Sequence, residues 1–147
     1  MAAYKSDQVT GLDALPPSVP KANERHGRLR LHYWSFTTAA GAGPAINDTI
    51  TVARLPQGAR ILGGRLVNEA MSTGAGTAQV TLGITGDTAR YLEANSVDAA
   101  GGLSFADTVL RNFGDELQAN TDVIATVLGE AWAPVKKFNG YFLYAVD

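Results

Sequence analysis

The sequence predicts an all-β fold: an antiparallel β-sandwich, jelly-roll-like, of about eight strands, entered through an extended N-terminal arm. Two observations carry this expectation. Short apolar or alternating runs recur between clusters of Gly, Pro, Thr, Asn and Asp, most plainly from Arg54 to Leu92, RLPQGARILGGRLVNEAMSTGAGTAQVTLGITGDTARYL. No segment keeps apolar residues at i, i+3, i+4, i+7, so a helical bundle or a βα alternation is set aside, and no fixed repeat points to a solenoid.

Each element follows from its residues. Gly27 to Thr37 contains RLRLHYWSFT, alternating at period two and rich in aromatic residues, and is the first strand. Residues 39–44 (AAGAGP) are loop. Asp48 to Leu55 is the second strand, stopped by Pro56 and Gly58. Arg60 to Glu69 is the third, and the Gly63-Gly64 pair inside it marks a bulge, a bend or a close backbone approach. Ser72 to Gly76 is a turn. Thr77 to Ile84 alternates strictly, with Ala78, Val80, Leu82 and Ile84 on one face, as a half-buried strand does. Ala89 to Leu92 reads as a short strand or a helical turn, residues 93–102 as loop, and residues 103–113 are ambiguous. Asp122 to Leu128 and Tyr141 to Val146 are buried strands, the last in the core.

Residues 1–26 read as the arm and residues 27–147 as the sandwich domain. Pro16, Pro17 and Pro20 stop any helix past Leu15, since proline lacks the N–H and disfavours helical geometry just before it. A disordered tail and a docking arm both fit such a segment. The apolar residues Tyr4, Val9, Leu12, Leu15 and Val19 favour docking, because a tail that only stays solvated has no use for them.

Composition limits the function classes. A 147-residue chain can bury roughly 68–70% of the surface its unfolded form exposes, enough for one core. Without cysteine there is neither a disulfide nor a thiolate metal site. A net charge of −2 and a pI of 5.6 argue against nucleic acid as the main partner. The N-terminus has no signal-peptide pattern, and no run of about 18 apolar residues offers a membrane span.

Chemistry finds little support. His26 and His32 are the only histidines, too few for a cupin-type metal set, and a histidine among arginines on a strand reads as a surface or interface residue. No serine stands in a Gly-x-Ser-x-Gly context. Adjacent Asp115 and Glu116 would point to opposite faces of a strand and cannot flank one bond; they read as a solvated turn. Gly83 to Thr88 holds a single carboxylate, Asp87, better suited to an Asx turn than to calcium. Gly41 to Pro44 lacks the Lys-Ser or Lys-Thr of a phosphate loop. No catalytic, cofactor or metal residue is therefore expected. The basic cluster Lys21, Arg25, Arg28 and Arg30, with His26 and His32, is either a contact for an acidic protein surface or a solvated face balanced by carboxylates such as Glu24.

The motifs Leu55-Pro56-x-Gly58-Ala59 and Gly86-Asp87-Thr88, within a likeness running from Arg28 to Val146, resemble small virion proteins of tailed bacteriophages, the capsid cement or decoration proteins. This resemblance implies a jelly-roll or β-sandwich module at the capsid surface, made in the host bacterial cytoplasm. It would clamp neighbouring major capsid subunits as a homodimer or homotrimer and act without catalysis. The expected partner-binding residues are Tyr4, Leu12, Leu15, Pro16, Pro17, Val19, Arg25, Arg28, Arg30, Tyr33 and Trp34. A receptor- or glycan-binding module of a phage head or tail fibre is the alternative, with Trp132 beside Pro134 and Glu130 as its loop candidate.

Overall fold

The computed structural model describes residues 28–105 and 112–146, together with Pro16. Eight strands form in order: β1 (Arg28–Thr37), β2 (Thr49–Leu55), β3 (Arg60–Asn68), β4 (Gln79–Ile84), β5 (Asp87–Ser96), β6 (Gly101–Phe105), β7 (Thr121–Leu128) and β8 (Lys137–Val146). They make two four-stranded antiparallel sheets, β1-β8-β3-β6 and β2-β7-β4-β5.

The pairing has a simple logic. β1 pairs with β8, β2 with β7, β3 with β6 and β4 with β5, so the chain is one long hairpin folded over itself into two layers. That is the jelly roll the turn spacing predicts. The hairpin tip is Thr85-Gly86, where Gly86 takes a φ of 91°, a conformation open to glycine at no steric cost.

Trp34, Leu66, Phe105, Phe138 and Phe142 of the first sheet pack against Val80, Leu82, Val123, Ala125 and Val127 of the second. Trp34 lies 5.5 Å from Phe142 and 6.0 Å from Phe105, ring centre to ring centre. Its indole occupies the space a Cβ would take on Gly140, its cross-strand partner. A bulge adjoins the Gly63-Gly64 pair: the β3–β8 register shifts between Ile61 and Gly63, with Leu62 the extra residue, and a Cβ on Gly64 would run into the Phe105 ring and the Tyr141 carbonyl.

Four segments differ from the sequence expectation. β5 continues through Glu93 to Ser96, where loop was expected, because Asn95 and Ser96 pair with Val80 and Gln79. Residues 101–105 form β6 against β3. β8 begins four residues before Tyr141, held on both sides by β1 and β3. β4 is buried on both faces, since Thr81 sits between β7 and β5 with Thr126 as its cross-strand neighbour.

Candidate interaction face

β1 decides which side chains face outward. His32, Trp34 and Phe36 turn toward the core: His32 stacks on Phe142 and donates through Nε2 to the Val52 carbonyl of the opposite sheet at 3.1 Å. That bond places the proton on Nε2 and makes the histidine a half-buried tie between sheets, not the surface residue expected. Alternation then sends Leu29, Leu31 and Tyr33 outward, where they remain 63%, 62% and 61% exposed. In the register, Leu31 stands beside Leu143, and Tyr33 beside Tyr141. Tyr141 in turn neighbours Arg65 on β3, while Val67, also exposed, stands beside Asn139. An apolar patch thus crosses three strands of the first sheet. On the second sheet Thr49 and Thr81 flank Thr126 in register, and Thr81 and Thr126 are themselves buried.

Of the candidate partner-binding residues, Tyr33 lies on this face. Arg28 and Arg30 lie on the opposite side of the same strand, exposed at its start. Trp34 is a correction: adjacent strand residues point oppositely, so with Tyr33 out, Trp34 is in, 6% exposed and surrounded by phenylalanines. Pro16 is exposed in a bend, and Tyr4, Leu12, Leu15, Pro17, Val19 and Arg25 lie outside the described residues. Leu29, Leu31, Val67, Tyr141 and Leu143 were not singled out by sequence. Their signal was present in the Arg-Leu-Arg-Leu start of β1, but only the register tells which half of that alternation faces water.

The remaining constellations are structural. Trp132 is 1% exposed and packs 5.1 Å from Phe138, so it offers nothing to a glycan. Glu130 is buried beneath residues 72–77. It accepts hydrogen bonds from the hydroxyls of Ser72 (2.6 Å) and Thr73 (2.7 Å) and from the N–H groups of Thr77 and Ala75. Those donors, Ser72 first, hold its carboxyl down to about 2 against the cost of burial. Asp115 is exposed just after a turn, as expected, and pairs with Arg90 at 3.4 Å, whereas Glu116 is drawn in and pairs with Arg60 at 2.9 Å; backbone bonds tie residues 112–117 to the start of β3. Burial pushes the Tyr91 phenol upward, against the pull of Arg90. An open groove lined by Phe36, Gly43, Pro44, Asp48, Thr49 and Thr51 holds one carboxylate and two threonine hydroxyls. Among the described residues, no three His, Cys, Asp or Glu side chains converge on a metal position, and no helix is long and apolar enough to cross a membrane.

No family model and no curated protein matches the chain. Solved structures do. A chain of the cyanophage Pam1 capsid asymmetric unit has a TM-score of 0.68 at 25% identity, over 82% of this chain and 86% of that one. A chain of the capsid of Ralstonia phage GP4 has a TM-score of 0.67 at 20% identity, over 82% and 86%. A chain of the acid-stable capsid of the Helicobacter pylori bacteriophage KHP30 reaches 0.58 at 18% identity, over 82% and 90%. This two-sheet jelly roll is therefore a fold shared with chains of phage capsids.

Proposed function

We propose that this chain is a structural, non-catalytic virion protein that binds the outside of a phage capsid and clamps neighbouring major capsid subunits. The observation that carries the reading is the exposed apolar patch of Leu29, Leu31, Tyr33 and Tyr141 on a fold shared with phage capsid chains. Exposed contiguous apolar surface of this kind marks a docking site. The residues before Arg28 deepen the attachment as an arm: Tyr4, Leu12, Leu15, Pro16, Pro17 and Val19 lie along a neighbour, and Arg25, Arg28 and Arg30 meet its carboxylates. Each apolar side chain buried there is worth roughly 1.5–3 kcal/mol before ordering costs.

Binding of many copies, each bridging two or more shell subunits, raises the energy needed to rupture the shell under packaged-genome pressure. The glycan alternative loses its best candidate with the burial of Trp132 and the engagement of Glu130. The test uses genome-filled heads of the cognate phage stripped of this chain. Adding it back is expected to give stoichiometric binding and a higher temperature of DNA release. No binding would remove the reading and return attention to a fibre or tail component.

A further inference from the structure

We propose that the outward face of the first sheet docks a protein surface that is apolar at its centre and carries carboxylates around it, on a chain other than this one. The inference rests on the virion reading above and assigns the face and the chemistry of the contact.

Charge is the second observation, independent of exposure. The four strands of the first sheet contain Arg28, Arg30, Arg60, Arg65 and Lys137 and not one Asp or Glu, although the chain as a whole has a net charge of −2. Arg60 is engaged by Glu116 and the Gly114 carbonyl. Arg65 and Lys137 stand on the outward side by register, beside Tyr141 and Thr37. The Arg65 guanidinium lies across β6: a Cβ on Gly102 would meet its Nη2 at 2.9 Å. Glu69, one residue past β3, accepts the backbone N–H of Lys137 at 2.7 Å. Arg28 and Arg30 lie on the other side of β1 and do not belong to this face. The apolar centre is therefore bordered by two cations, Arg65 and Lys137, and Tyr and Arg together are the side chains that anchor protein interfaces best.

These two cations also select the occupant. A second copy using the same face would set cation against cation, which electrostatic complementarity penalises. The chain's own first 27 residues carry three acidic and three basic side chains, so they bring no acidic complement. A carboxylate-bearing surface on the capsid shell fits both the apolar centre and the charge.

Hydroxyl-radical footprinting of the full chain, free at high dilution and bound to empty shells of the major capsid protein, reads the face directly. Oxidation of Tyr33 and Tyr141 is expected to slow about fivefold more on shells than that of Phe113, as water-excluding contacts require. In parallel, Arg65→Glu with Lys137→Glu is expected to weaken shell binding about tenfold and to flatten its salt dependence. Leu31→Ser, at an exposed position, gives an uncharged check should the double variant fail to fold. Unprotected tyrosines on shells that retain the chain would overturn the inference and leave the virion reading standing. Protection already present in the free protein would overturn it too, marking the chain's own N-terminal residues if independent of concentration and a second copy if not. Failure of the wild type to bind shells would remove the reading and the inference together.

Discussion

Glu130 concentrates four hydrogen bonds on one buried carboxylate, and its charge is part of the fold. Its folded value of about 2 lies below the ordinary 4.5, so the unfolded chain takes up the proton first as pH falls. The stabilisation is fully present above pH 4.5 and disappears as pH approaches 2. Glu130→Gln is therefore expected to melt lower than the wild type at pH 7, with the gap closing across that acid window; melting temperature against pH, followed by circular dichroism, measures it. A gap that stays constant through the window would show that the charge plays no part. Little of this was legible beforehand. Glu130 sits in a Gly-Glu-Ala-Trp stretch with no partner nearby in sequence, and its donors come from residues more than fifty positions earlier.

At the scale of elements, the bulge in β3 is a built feature. Gly64 leaves room for the Phe105 ring beneath it and the Tyr141 carbonyl beside it, while Gly140 does the same for Trp34. Gly64→Ala forces the Phe105 ring or β8 to shift, and overpacking of this sort costs about 1–3 kcal/mol. Urea unfolding of the variant should show that loss at an unchanged slope; a loss within error would mean that the ring has room to move. Here the sequence was informative, because paired glycines inside an alternating run have few other uses. The extension of β5 was less so, since Glu93-Ala94-Asn95-Ser96 combines weak strand formers. It becomes a strand because Val97, buried, exchanges backbone contact with Ala78 and Met71 and carries the preceding residues alongside β4. The early start of β8 has the same cause: Lys137, Asn139 and Gly140 have little strand preference, yet β1 and β3 supply partners on both sides.

For the molecule as a whole, the jelly roll was readable because turn chemistry is local, whereas the docking face was not, because its polarity depends on a register set by Trp34 meeting Gly140 across a separation of more than a hundred residues. In the proposed reading, folding and attachment fall to different parts of the chain. The described residues already close a core between two sheets, with Trp34, Phe138 and Phe142 meeting Val80, Val123 and Val127 inside it. In the proposed reading the arm has a different task, adding a second point of contact to the one on the sheet. Two linked contacts bind far more tightly than either alone, since the second closes at the high effective concentration that the first creates. Deleting residues 1–20 is accordingly expected to leave a protein that melts within about 3 °C of the full chain, a shift worth less than about 1 kcal/mol for a domain of this size. The same deletion is expected to lower its affinity for capsid shells by about 100-fold, as loss of one of two linked sites does. Calorimetry gives the first quantity and sedimentation with shells the second. Unchanged shell binding would assign the whole attachment to the outward face of the first sheet, and a large drop in melting temperature would instead make the arm part of the fold.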